Sequence, residues 1–203
     1  MPRRPLTAAV ATLSALTVLT ACNGSPEAGR PNTTPASPTA TATPTPTAPS
    51  APAWTPQEQT AITAAKARYL AARAAVGAAL KEPTKATRAG LAAAGNGGAW
   101  VIAVGGQVDF QVENGWYQTG DPKVVSLAAQ SVKLNLEQPE VRLTSCVDSA
   151  QVVTRYRSSG KPIPTQGDDG NRHRFQSRLV YAKSVETGKK MWFLVEEKAT
   201  ETC

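Results

Sequence analysis

The side chains able to do chemistry in this 203-residue chain are few: cysteines at 22, 146 and 203 and a single histidine, His173. A nucleophilic cysteine needs a base beside it, and one histidine leaves little choice of base. His173 stands in Asn171-Arg172-His173-Arg174-Phe175 and shares an apolar strand face with Phe175, Leu179 and Tyr181. An acid/base role would need an enclosed cavity bringing Asp109 or Asp148 to it; a structural or exposed histidine at a strand start is the preferred reading. There is no CxxC or HxxxH spacing, so no metal is expected. Asp168-Asp169-Gly170-Asn171 lacks the spaced ligands and closing Glu of a calcium loop. Gly95-Asn96-Gly97-Gly98 and Gly105-Gly106 match no phosphate-binding fingerprint and read as breakers. No catalytic residue, metal or cofactor is assigned.

Arginine is the more abundant resource. Val153, Arg155 and Arg157 fall on one face of a predicted strand, and Arg172, Arg174, Gln176 and Arg178 on one face of the next. If these strands pair, both rows lie on the same exposed side of a sheet, opposite Tyr156, Phe175 and Tyr181. Arg155, Arg157, Arg172, Arg174 and Arg178 then form a candidate basic patch. Stacked like charges are unfavourable, so Glu140, Asp148 and Glu196 are expected to intervene. The preferred reading is a solvated face with cross-strand ion pairs. The functional alternative is a patch for an anionic envelope polymer, a phospholipid headgroup or a protein partner. Nucleic acid is not expected, because no exposed aromatics are interleaved with the arginines.

The elements positioning these residues begin at Trp54. Thr55-Pro56-Gln57-Glu58 is a capping box with proline at the first helical position. Ile62, Tyr69, Val76 and Leu80 follow in one stripe, filled in by Ala65 and Ala72, which predicts a helix of about six turns ended by Pro83. Lys66, Arg68 and Arg73 are placed mostly off the stripe. Lys85 to Ala94 reads as a second, short helix. Residues 99–114 are ambiguous. Val101/Ala103 and Val108/Phe110/Val112 alternate as in strands, while Trp100, Val104, Val108 and Val112 recur every fourth residue. Gly105 and Gly106 each weaken a helix by about 1 kcal/mol, so local propensity favours strand. Strands are expected over Lys123 to Glu137, with an irregularity at Ala128-Ala129, and over Glu140 to Asp148, with Val141, Leu143 and Val147 inward. Further strands are expected over Gln151 to Arg157, Arg172 to Ser184 and Met191 to Lys198. Helices followed by antiparallel strands indicate an α+β domain, its sheet curled over the helices.

The N-terminus carries an address. Arg3 and Arg4 precede an uncharged run from Leu6 to Ala21, the pattern of a secretory signal peptide. The run is shorter than the roughly 20 residues of a membrane-spanning helix. It ends in Leu19-Thr20-Ala21-Cys22, which resembles the lipobox of bacterial lipoproteins. The resemblance implies a diacylglyceryl thioether at Cys22, cleavage before it and anchoring on the extracytoplasmic face of the cell membrane. Two acyl chains give durable attachment at about 0.8 kcal/mol per buried methylene. If Cys22 is lipidated, Cys146 and Cys203 remain as an even pair in a compartment where disulfides persist.

The organisation expected is a signal peptide over 1–21, a Pro/Thr/Ala-rich stalk over 22–53 and a folded domain over 54–203. The stalk has no aliphatic residue larger than alanine and cannot offset its ordering entropy by burial. The net charge is +7. Losing Arg3 and Arg4 leaves +5, which suits anionic lipid or wall polymer without implying nucleic acid.

KARYLAARAAV, VRLTSCVDSAQVV, RHRFQSRLVYAKS, a Trp-containing final strand and the closing ETC together resemble small actinobacterial lipoproteins and secreted proteins with an NTF2-like, cone-shaped fold. Gln57–Pro83 and Val141–Cys203 match best. The family's third helix would fall on 99–114, where this sequence departs with two glycines and many β-branched residues. The resemblance carries no catalytic motif. The fold alone does not choose a role; the anchor, the stalk, the cysteine pair and the absence of a catalytic set point to a non-enzymatic binding or assembly module at the cell envelope. The alternatives are a ligand carrier or isomerase-like enzyme using the cone interior, and a lipoprotein of a mobile element or prophage acting in conjugation or superinfection exclusion.

Overall fold

In the computed structural model, residues 53–164 and 171–203 are described. The signal peptide, Cys22, nearly all of the stalk and Asp168-Asp169-Gly170 lie outside the described residues. The rest is α+β, with helices packed against antiparallel sheets.

Helix α1 (Pro56–Lys81) starts at Thr55, whose hydroxyl accepts from the Glu58 amide while the Glu58 carboxylate accepts from the Thr55 amide. Its buried residues are Ile62, Ala65, Tyr69, Ala72, Val76, Ala79 and Leu80, the stripe expected from spacing. A single 3-10 turn (Pro83–Lys85) follows, then α2 (Arg88–Ala93), shorter than the expected Lys85–Ala94, and α3 (Gly98–Glu113). The ambiguous segment is therefore a helix, against its local strand propensity. Tertiary cover overrides propensity here: Val104 and Val108 pack with Val76, Leu80 and Leu91, and Trp100 lies against the same cluster.

Four strands, β2 (Lys123–Lys133), β3 (Glu140–Asp148), β5 (Arg172–Lys183) and β6 (Lys190–Thr202), form one antiparallel sheet in the order β2-β3-β5-β6. Register shifts in β2 fall between Val124 and Ser126 and between Ala129 and Ser131, on either side of the expected Ala128-Ala129. Val141, Leu143 and Val147 are buried, as their alternation predicts. Val141 and Leu143 join Leu179, Trp192 and Leu194 against Ala65, Tyr69 and Ala72 of α1. This is the inner face of the sheet.

Strands β1 (Trp116–Thr119) and β4 (Val153–Tyr156) form a separate two-stranded sheet, with Trp116 opposite Tyr156. The turn after β1 depends on Gly120, at φ +79°; a Cβ there would lie 1.7 Å from the Gln151 carbonyl oxygen. At the outer edge of β6, Leu194 donates its amide to the Gly95 carbonyl and accepts from the Gly97 amide. The Asn96 side chain, fully buried between them in sequence, donates to the carbonyls of Ala72 and Leu91 and accepts from the Trp100 indole.

Candidate functional site

The sheet offers two chemically distinct surfaces, and the sequence-predicted residues divide between them. The candidate basic patch does not assemble as expected. β4 pairs with β1 and not with β5, so Arg155 and Arg157 belong to the small sheet while Arg172, Arg174 and Arg178 belong to the large one. The pairing assumed from chain order fails because β1, four residues long, was too short to show alternation. Arg155 donates to the Thr119 hydroxyl and the Gly160 carbonyl, and Arg157 lies 5.9 Å from the centre of the Tyr117 ring.

On the outer face of the large sheet each arginine meets a carboxylate. Arg172 donates to Asp148 at 2.9 Å, Arg174 to Glu201 at 2.8 Å, and Arg178 to Glu196 at 3.1 Å and to Glu140 at 3.5 Å. Arg142, not singled out from sequence, donates to Glu140 at 2.8 Å. The anticipated Glu140, Asp148 and Glu196 are thus the partners. The Asp148 carboxyl is held below its ordinary value, first by the Ala150 amide and then by Arg172. Arginines already neutralised by neighbours make a poor receptor for an anionic polymer.

Cys146 and Cys203 form a disulfide on this same outer face, with Cα atoms 6.0 Å apart. It fastens residue 203, beyond the end of β6, to β3. With both sulfurs so bound, neither is a nucleophile. His173 is half-buried opposite Val147, next to the Arg172–Asp148 pair. Asp109 is exposed on α3. The structure does not gather His173 and Asp109 around an enclosed cavity.

The inner face holds a polar cluster that sequence reasoning missed. Tyr69, fully buried, shares a 2.7 Å hydrogen bond with the Ser145 hydroxyl. Ser177 donates to Glu197 at 3.1 Å. Arg73 makes an ion pair with the other Glu197 oxygen while its guanidinium lies 5.0 Å from the centre of the Phe175 ring. The Glu197 side chain is fully enclosed, and that of Arg73 is 15% exposed. Arg73 is therefore not an off-stripe surface charge: it sits one turn beyond Tyr69, on the same side of α1. Burial, with Glu197 nearby, pushes the Tyr69 phenol up to about 12, so it stays protonated. The signal available in sequence was serine at two inward strand positions, 145 and 177, flanked by Leu143, Val147 and Leu179.

These polar groups satisfy one another, and Tyr69, Leu143, Leu179, Trp192 and Leu194 fill the space around them. Beside them an opening of about 380 Å³ lies between α1 and the start of β2, lined by Leu70, Arg73, Gly77, Lys123 and Val124. Among the described residues no group of three or more His, Cys, Asp or Glu side chains could hold a metal ion. No described helix is long and apolar enough to cross a membrane.

An open apolar groove of about 400 Å³ lies where α2 and the start of α3 meet the far end of the outer face. Val101, Val180, Ala182, Phe193 and Val195 line it, with Arg88, Lys183 and Glu186 among its polar lining residues. Such a surface accepts apolar side chains.

No protein-family model matches the chain. No curated protein matches it either. Among solved structures it is similar to the intermembrane space region of the chloroplast protein ARC6. The TM-score is 0.45 and the identity 11%, over 71% of this chain and 97% of that one.

Proposed function

We propose that the chain is a lipid-anchored, extracytoplasmic module that binds or assembles with a protein partner and performs no catalysis. The observation that carries this reading is the Cys146–Cys203 disulfide. It belongs to an oxidising compartment and leaves Cys22 as the one cysteine outside the pair, at the end of the Leu6–Ala21 run. The order of elements, three helices and then a predominantly antiparallel set of strands, supports an NTF2-like assignment. The mutually satisfied polar cluster around Tyr69 and Glu197, packed among Leu143, Leu179 and Trp192, speaks against acid–base chemistry at that place. The ion-paired outer face directs attention from anionic polymers to the groove beside β6, where a partner's apolar side chains would meet Phe193 and Val180.

The test is metabolic labelling of the full chain with radioactive palmitate in a bacterium that processes lipoproteins. Wild-type protein is expected to carry label, to fractionate with membranes and to begin at residue 22. Cys22→Ala is expected to carry none and to keep residues 1–21. An unlabelled, freely soluble wild type would overturn the anchoring.

A further inference from the structure

Helix α3 presents an apolar face to solvent. Its 16 residues include two charges, Asp109 and Glu113, and no Lys or Arg. Val104, Val108 and Gln111 face the core. On the opposite side Ile102 is 61% and Phe110 51% exposed, and Ala99, Ala103 and Gly106 are also exposed. A helix apolar on nearly all sides is ordinarily enclosed on all sides.

The layout of that face identifies its cover. At 100° per residue, Gly106 lies opposite the buried stripe, exposed Glu113 about 20° from it, and Ile102 and Phe110 about 40° to either side, one turn before and one turn after, with Phe110 edge to face with Trp116. A Cβ at Gly106 would meet no atom within 4 Å. Consider two copies crossing antiparallel at Gly106 about a two-fold axis. An isologous contact repeats every pairing in both directions. Each Phe110 then falls over the other copy's Ala99 and Ala103, a large side chain over two small ones.

The charges also agree. The Arg88 guanidinium lies 3.9 Å from the place a Cβ on Gly105 would occupy, on the flank that carries Asp109. The two-fold returns the second copy's Asp109 to that flank, within about one turn of Arg88. Among the described residues the Arg88 and Asp109 side chains have no hydrogen bond or ion pair. A lipid surface fits less well: helices lying on membranes carry Lys and Arg around their apolar face, whereas this one carries two carboxylates.

We infer that the exposed face of α3 is a self-association surface, pairing two copies of this chain antiparallel across Gly106. The inference does not depend on lipid anchoring or on the groove beside β6.

The full chain is tested in the membrane fraction and as purified protein. In the isologous pair, Gly106→Cys places two thiols face to face, so oxidation with copper phenanthroline is expected to give a covalent dimer on a non-reducing gel. Gln107→Cys, about 100° round the helix, is expected to give little. By sedimentation velocity, the wild type is expected at the mass of two chains. Arg88→Glu and Asp109→Arg are each expected to weaken the dimer at least about tenfold, and the double reversal to restore it. The reversals lie at exposed positions, and circular dichroism of each variant separates loss of pairing from loss of fold. A monomeric wild type, equal crosslinking at 106 and 107, a double reversal no better than the singles, or sedimentation with anionic vesicles through Ile102 and Phe110 in place of dimerisation would each overturn the inference.

Discussion

The two faces of the large sheet use similar chemistry at different depths. On the inner face one arginine, Arg73, is paired with an enclosed Glu197 and laid over Phe175. On the outer face four arginines, at 142, 172, 174 and 178, pair with carboxylates that are partly or fully open to water, except Glu140, whose side chain is 10% exposed. Water screens the outer pairs, and each holds long side chains in place at an entropic cost, so a typical pair adds between nothing and about 1 kcal/mol. The inner pair has no water to fall back on. Removing either partner strands a charge in the core, although replacing both by apolar groups need not cost stability. The count of ion pairs on a surface therefore says less about stability than one pair beneath it.

The largest expected effect breaks the inner pair. Arg73→Met is expected to lower unfolding free energy in urea by about 3 to 5 kcal/mol, and Arg73→Met with Glu197→Leu to recover most of it. If the single replacement is harmless, the distinction between the faces fails. Next comes the covalent member of the outer face. Cys146→Ser with Cys203→Ser is expected to cost about 2 to 4 kcal/mol, because the bond restricts the unfolded chain over a separation of 57 residues. This loss should be insensitive to salt, unlike that of the neighbouring arginines.

Tyr69→Phe is smaller. It removes the hydrogen bond to Ser145, worth about 1 kcal/mol, and leaves that hydroxyl to find another partner. It also sharpens the comparison through pH. Tyr69 titrates near 12 in the folded protein and near 10 unfolded, so its contribution is intact below pH 10 and is lost as pH rises towards 12. Thermal unfolding between pH 9 and 11 should show a shallower alkaline decline in Tyr69→Phe than in wild type. The smallest effect belongs to the outer face. Arg174→Ala is expected to change stability by less than about 0.5 kcal/mol. Asp148→Asn should remove a slight acid dependence, because a lowered carboxyl stabilises above its unfolded value and ceases to do so as pH falls through the folded one.

What could be read from the chain beforehand follows the same division. α1 was legible because it buries one face against solvent on the other, and β3 because its inward Val141, Leu143 and Val147 keep the two-residue period. Thr55 to Glu58 announced the helix start in the same way. Residues 99–114 were not legible: Gly105, Gly106 and the β-branched residues argued for strand, and the helix exists because α1 and α2 cover Val104 and Val108. The basic patch was misplaced because β4's partner was settled by Trp116 and Tyr156, whose rings meet edge to face at 6.4 Å. Arg73 was misjudged because a charge one turn from the apolar stripe looks solvent-facing until Glu197 is known to lie beneath it.

Leu194 also closes the sheet edge to other chains. Its outer amide and carbonyl are already engaged by Gly95 and Gly97, so the middle of β6 offers a foreign strand no ladder to join. At the far side of the sheet, β2 is interrupted twice, and its ends carry Lys123 and Lys133. Neither margin invites a fifth strand. A chain held at high density on a surface, where collisions between neighbours are constant, would thereby resist fibrillar aggregation through its sheet edges and leave side-chain contacts as its route to specific company.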